Sequence, residues 1–282
     1  MTHVHRAGSE ASGAGASGAA VGGAGSGLGG GSRDAGPSGA DPHTLAAQAR
    51  GVEQLRVLLV FAGAEETEHA LPRQLREAGH HVTAIDTRLG GARHDVLRGG
   101  LGQLLLRAVA RGDYDVVFLA PPCSSFSVRH PVRLRSAARP WGVEPLPRGW
   151  EAYVAKHNRL ADFTAEMVDA CGAARVPCAV ENPADRSARE SPAYWESHAD
   201  AGSIWGMPLL RAALERANAR RHTFAQCAAE IGGRAQKYTT IAATGALRTE
   251  LSVLDGCQCQ HLGRGHAERL EGVDAGGRSR AT

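Results

Sequence analysis

Two short stretches of this 282-residue chain carry residue types able to do covalent chemistry. The first is Ala120-Pro121-Pro122-Cys123-Ser124-Ser125, in which a cysteine follows an apolar run, is stiffened by two prolines and is trailed by hydroxyls. A cysteine inside a strand behaves as a small hydrophobe. One that has just left a strand faces a crevice instead, where backbone N–H groups and nearby positive charge favour the thiolate and make it a nucleophile. The second stretch is Glu181-Asn182-Pro183, which closes the apolar run VPCAV. A carboxyl held there is partly desolvated, so its pKa rises and it can donate a proton at neutral pH. The alternatives are a buried structural cysteine and an ordinary solvated acid at a strand end.

Zinc deaminases also use a Pro-Cys pair, but they need a second cysteine three positions on and an upstream His-x-Glu. Position 126 is Phe, and the His-x-Glu at His266 to Glu268 lies downstream, so that chemistry is set aside. A thiol hydrolase built on Cys123 would need a histidine such as His130 or His222 within hydrogen-bond reach.

Other residues have the types expected around such a centre. Phe61-Ala62-Gly63 forms a glycine turn after the first apolar run, a place where backbone approaches a ligand. Asp86 ends the second run, where an acid can take a ribose hydroxyl pair, and Asp95 follows a short loop as a further polar contact or a turn residue. Arg129, Arg133, Arg135 and Arg139 crowd the segment after Cys123. They read either as a phosphate-contacting loop or as the arginine surplus of GC-rich coding, in which Lys156 and Lys237 are the only lysines. Cys257, Cys259, His261 and His266 offer four potential zinc ligands in ten residues, though their spacing is tighter than an ordinary finger. Cys171, Cys178 and Cys227 read as core.

These residues must be positioned by a sheet. LRVLLVF (55–61), HVTAIDT (81–87), DVVFLA (115–120), VPCAVEN (176–182), HTFAQC (222–227) and KYTTIAAT (237–244) are short apolar runs rich in branched residues. Helical patterns separate them: AEETEHALPRQLREAGH, expected to kink or break at Pro72, LGQLLLRAVARG, residues 151–174 and WGMPLLRAALERANA. Strands alternating with crossover helices predict an α/β fold with a mostly parallel sheet flanked by helices. Such sheets bind ligands outside the carboxyl ends of their strands, which is where Asp86, Cys123, Glu181 and Asn182 fall.

The bulk numbers set the outer limits. Residues 1–50 hold 13 of the 36 glycines and little that can be buried, so they read as a disordered tail; 51–262 read as the folded domain and 263–282 as a flexible end. A net charge of +3 neither demands nor excludes a nucleic acid. Six unevenly placed cysteines do not suit a secreted disulfide framework. No window reaches the ~18 apolar residues of a membrane helix, and the start lacks the apolar core of a secretory signal. An intracellular protein of nucleus or cytoplasm is the expectation, with an organellar transit peptide left open by the Ser- and Ala-rich start.

Taken together, Phe-x-Gly after the first strand, an acid after the second, Pro-Pro-Cys after the central strand and then Glu-Asn-Pro resemble the cytosine-5 DNA methyltransferase superfamily. The run from Val57 to about His266 is similar to a divergent group of methyltransferase-like proteins from phage, algae and mobile elements, which continue with segments like YWESHADAGSIWGMP, TFAQC and QKYTT. The resemblance implies a Rossmann-like methyltransferase fold, S-adenosylmethionine as cofactor and DNA as partner, without selecting DNA against RNA. It implies Cys123 as nucleophile and Glu181 as its partner, with Phe61, Gly63, Asp86, Asp95 and Pro122 on the cofactor. Ser124, Ser125, Asn182, Arg133, Arg135 and Lys237 would face the substrate. The chain departs from the pattern at Glu65, where a second glycine is usual. It also lacks a long target-recognition region and the family's arginine pair, for which Lys237 or Arg221 could substitute. A catalytically decayed nucleic-acid or cofactor-binding module is the rival reading.

Overall fold

The apolar runs do become strands in the computed structural model of the protein, which describes residues 53–65, 70–228, 231 and 237–261. The terminal stretches expected to be disordered, and His266 with them, lie outside the described residues. Four strands run parallel: β1 (Arg56–Val60), β2 (His81–Ile85), β3 (Val116–Leu119) and β4 (Cys178–Pro183). They are followed by β5 (Arg220–Ala225) and β6 (Tyr238–Ala243), and the described residues form one six-stranded sheet in the order β2-β1-β3-β4-β6-β5. β6 is antiparallel to both of its neighbours. The expectation of an α/β protein with a mostly parallel sheet is met.

Helices connect the strands: α1 (Leu71–Glu77), the single turn α2 (Thr87–Gly90), α3 (Leu101–Ala110), α4 (Glu151–Ala174), α5 (Pro208–Arg216) and the single turn α6 (Leu247–Glu250). Pro72 does not kink a helix; it sits in the first turn of α1, where its missing N–H is no loss. α4 buries Val154, His157, Leu160, Phe163, Met167, Val168 and Cys171, a spacing of three and four residues that lays one stripe on the core. Leu58, Val60, Val117, Leu119 and Val180 are fully enclosed, as central parallel strands covered on both faces require. No helix among the described residues is long and apolar enough to cross a membrane.

The strand order decides where a ligand can sit. From β1 the chain goes outward to β2, then returns to place β3 on the other side of β1. At that reversal the chain segments leaving β1 and β3 diverge and open a crevice. The divergence is visible in the hydrogen bonds. The N–H groups of Phe61 and Ala62 donate to Ile85 O of β2 at 2.7 and 3.2 Å, whereas Ala120 N–H still donates to Val60 O at 3.1 Å. Pulling the turn towards β2 puts Phe61 at φ 62° and Gly63 at φ 75°; only at the second does the residue type remove the steric cost.

The antiparallel strand has its own consequence. Because β6 runs against β4, its first residues meet the carboxyl end of β4, with Pro183 opposite Thr239 and Asn182 opposite Thr240. Lys237 and Tyr238 therefore arrive at the same end of the sheet as Cys123 and Glu181. So does Cys227, just past the end of β5.

Candidate functional site

Cys123 sits on the loop leaving β3, in a tight turn closed by Phe126 N–H donating to Cys123 O at 2.8 Å. That loop is fastened to β4 by one buried side chain. The amide of Asn182, 1% exposed, donates to Pro121 O at 2.8 Å. A buried carbonyl needs such a donor, and the bond fixes the cysteine loop against the strand end that carries Glu181. Asn182 thus holds the frame of the site from behind.

Cys123, Glu181 and Lys237 lie within electrostatic reach of one another. Burial pushes the Cys123 thiol above its ordinary value, Lys237 pulls it down and Glu181 pushes it up again. Burial likewise holds the Glu181 carboxyl above its ordinary value, against the opposing pull of Lys237. Burial thus shifts both groups towards their protonated forms, and Lys237 opposes both shifts. Replacing Lys237 with glutamine removes a term that lowers the thiol pKa. Less thiolate is then present at any pH below that pKa, and alkylation of Cys123 by iodoacetamide near pH 8 should slow about threefold to tenfold, since one pKa unit is tenfold. Peptide mapping of the alkylated site against pH measures this, and an unchanged or lowered midpoint would remove Lys237 from the thiol's surroundings.

Behind the cysteine runs a hydrogen-bond chain. His157 Nδ1 faces Tyr153 O at 2.8 Å, so Nδ1 carries the proton and Nε2 accepts from the Ser124 hydroxyl at 3.2 Å. Ser124 Oγ in turn accepts from Tyr153 OH at 2.6 Å. His157 is buried and its pKa is lowered, chiefly by that burial, so it stays neutral. Neither His157 nor Tyr153 stood out in the sequence. The available signal was their i,i+4 spacing on α4, which places both on one face directly behind the Cys123 loop.

In front of the cysteine is a cleft of about 210 Å³ lined by Cys123, Ser124, Arg129, His130, Arg186, Lys237 and Tyr238, among others. Arg186 lies over the Tyr238 ring at 5.2 Å and the Trp195 ring at 5.8 Å. Trp195 is half exposed and stacks on His198, beside Arg129. The wall is thus cationic and aromatic together.

The other expected residues divide by what their side chains meet. Arg135 is 3% exposed, and its guanidinium donates to Ser125 O and Oγ, Pro140 O, Asn158 Oδ1 and Val154 O while lying 4.0 Å over the Phe126 ring. Arg135 and Ser125, expected to face substrate, instead build the interior of the 120–150 loop. Arg133 is on the surface and paired with Asp200 at 2.5 Å. Arg221 lies over the Trp205 ring at 5.3 Å. Of the expected substrate-facing residues, Ser124 and Lys237 line the cleft.

Among the residues expected to hold a cofactor, Gly63 N–H donates to Asp86 Oδ2 at 2.9 Å and Arg88 N–H to Asp86 Oδ1 at 2.7 Å. Asp86 joins the β1 turn to α2. A carboxylate has about four acceptor sites, so two hydrogen bonds leave it able to take hydroxyls. A Cβ placed on Gly63 would meet nothing within 4 Å, so the space over the turn is open. Phe61 packs edge-on to Phe163, centroids 6.3 Å apart. Asp95 accepts from Leu97 N–H at 3.0 Å and pairs with Arg98, which makes it a turn residue here. Pro122 is exposed on the loop between the two carboxyl ends. Glu65, which would bring negative charge to this region, is paired with Arg76 at 2.5 Å.

Of the four potential zinc ligands near the C-terminus, whose tight spacing argued against a shared metal, His266 lies outside the described residues. Cys257 turns inward, 5% exposed, with Sγ towards Val253 O at 3.6 Å. Cys259 and His261 meet Cys227 instead. Set against known proteins, the chain matches no family model, and a search of curated proteins returns no match.

Proposed function

We propose that the protein transfers a methyl group from S-adenosylmethionine to carbon 5 of cytosine in DNA, through a covalent adduct on Cys123, using a Rossmann-like methyltransferase fold. The observation that carries the reading is the clamp between the two strand ends: Asn182 ties the Pro121 carbonyl down, so that the Cys123 thiol, which lines a cationic cleft, lies within electrostatic reach of Lys237 and of the Glu181 carboxyl, whose pKa burial raises. A cytosine ring is a poor nucleophile at carbon 5. Adding a thiolate to carbon 6 and a proton to ring nitrogen 3 makes carbon 5 electron-rich, and these are the two acts that a thiol and a neutral carboxyl can perform.

In this mechanism Cys123 loses its proton and its sulfur bonds carbon 6. Glu181 donates to nitrogen 3 and holds the resulting ring. The thiol proton leaves to water in the cleft, while the Ser124–His157–Tyr153 hydrogen bonds hold the loop beside the cysteine in place. After carbon 5 has been alkylated its own proton passes to water, the carbon 6 to sulfur bond breaks with its electron pair on sulfur to restore the thiolate, and nitrogen 3 returns its proton to Glu181. The cofactor supplies an electrophilic methyl group, and the residues that would hold it are Phe61, Gly63 and Asp86 at the reversal between β1 and β3. A base must leave its duplex to reach a loop cleft, and the exposed Trp195 with Arg129 and Arg186 gives the stacking face and cations that a splayed strand uses.

A hydrolase would need a histidine at the thiol. Among the described residues no histidine nitrogen is hydrogen-bonded to Cys123 Sγ; His222 is enclosed against Asp255 at 2.9 Å, while His130 lines the same cleft as Cys123. The decisive experiment is covalent trapping on a duplex in which 5-fluorocytosine replaces cytosine. Fluorine blocks the final elimination, so a cofactor-dependent protein–DNA adduct mapping to Cys123 is expected. An adduct at another residue, or none in a preparation that binds S-adenosylmethionine and DNA, overturns the assignment.

A further inference from the structure

At the end of β5 three ligand-bearing side chains converge from two distant parts of the sequence. Cys227 is buried, Cys259 is half-buried and His261 is exposed, and one ligand atom from each lies within 4.8 Å of the other two. Cys259 Sγ and His261 Nδ1 are 3.8 Å apart. Around a tetrahedral zinc with Zn–S of about 2.3 Å and Zn–N of about 2.0 Å, ligand atoms stand roughly 3.5 to 3.8 Å apart, so sub-ångström to ångström adjustments would close the site.

The backbone explains why these residues meet. Segment 257–259 runs beside the end of β5, with Ala225 N–H donating to Cys257 O at 2.8 Å and the Gln258 side-chain amide to Thr223 O at 3.3 Å. Regular extended chain would put residues two apart on one face. The chain instead turns at Cys257, where Gln258 N–H donates to Gly256 O at 2.9 Å, so Cys257 enters the core beside Ala179, Phe224 and Ile241 while Cys259 meets Cys227. The turn carrying Cys227 is held to the start of β6 by Gln226 N–H donating to Lys237 O at 2.8 Å.

We propose that Cys227, Cys259 and His261 bind a zinc ion, leaving its fourth position to water or an added ligand. Two thiolates and an imidazole are a borderline-soft set that suits zinc in tetrahedral coordination. The ion joins the 257–261 segment to the β5–β6 connection. Tyr238, which is hydrogen-bonded to the Cys259 backbone, also lines the Cys123 cleft, so the metal steadies one wall of that cleft. The site stands independently of methyl transfer.

The full-length protein, purified with reductant and stripped with a chelator, should take up one zinc per chain against a chromophoric competitor. Cobalt in its place should give the intense visible bands of a tetrahedral site and near-ultraviolet sulfur-to-cobalt charge transfer. Cys227→Ser and Cys259→Ser should each weaken binding more than about 100-fold, because removing a direct ligand exceeds the 10- to 100-fold effect of an outer-shell partner. His261→Ala should weaken binding and change the visible bands while retaining charge transfer. Cys257→Ser should bind as the parent chain does, and added zinc should raise the melting temperature of the parent and of Cys257→Ser but not of Cys259→Ser. Three results overturn the proposal: no uptake by the reduced chain, octahedral cobalt spectra, or loss of binding in a folded Cys257→Ser equal to that in Cys259→Ser. A Cys227–Cys259 disulfide in freshly isolated protein that resists reduction and bars metal uptake overturns it too.

Discussion

Cys123→Ala is expected to lower methyl transfer to DNA by on the order of 10⁴-fold or more while leaving S-adenosylmethionine affinity within about twofold of the parent. Loss of a nucleophile removes the whole covalent route, and the remaining groups can give only what positioning and binding supply. The cofactor side is built from β1, β2 and their turns, with Gly63 and Asp86 hydrogen-bonded to each other. Cys123 contributes no hydrogen bond to that side among the described residues. Methyl transfer from labelled cofactor measures the first quantity and calorimetry the second. Transfer surviving in Cys123→Ala would end the adduct mechanism. A parent chain that binds DNA but shows no S-adenosylmethionine binding would leave the non-catalytic module as the better account. The charge of Glu65, which motivated that account, is met by Arg76 in the structure.

The parallel core was legible because β1, β3 and β4 must be buried on both faces, and a continuous branched run is what such burial demands. The same reasoning located Cys123, Glu181 and Asn182 at carboxyl ends. It did not give Asn182 its role. A polar residue at a strand end looks alike whether it faces substrate or the carbonyl of Pro121, and only the pairing of β3 with β4 separates the two. The antiparallel setting of β6 was likewise outside the sequence, although it alone brings Lys237 to the cysteine. The C-terminal cysteines were the least legible: counting sets Cys257 beside Cys259, but the chain turns at Cys257 and sends it to the core, whereas Cys259 meets Cys227, 32 residues away in sequence.

Arg135 shows the same difficulty with a larger energetic consequence. An arginine cluster after the cysteine suggested phosphate contacts, but the Arg135 side chain is enclosed, has no carboxylate partner among its hydrogen bonds, and has its pKa drawn down to about 10, chiefly by burial. It is charged at neutral pH all the same, and a fork of five N–H donors meets acceptors at two places on the loop, Ser125 and Pro140, and two on α4, Val154 and Asn158. Arg135→Met keeps much of the apolar stem over Phe126 but leaves Ser125, Pro140 and Asn158 with buried acceptors unpaired. We expect a loss of about 2 to 4 kcal/mol in urea unfolding, since each buried neutral acceptor left unpaired costs about 1 to 3 kcal/mol and the effects overlap. Arg135→Lys should recover only a minor part of it, because a single ammonium cannot reach the same acceptors in their fixed directions. The loop that holds Cys123 loosens with it, so methyl transfer should fall in both variants under conditions where each remains folded. If Arg135→Met unfolds like the parent chain and loses only DNA affinity, with a shallower salt dependence, the arginine contacts phosphate after all and the loop interior described here is wrong.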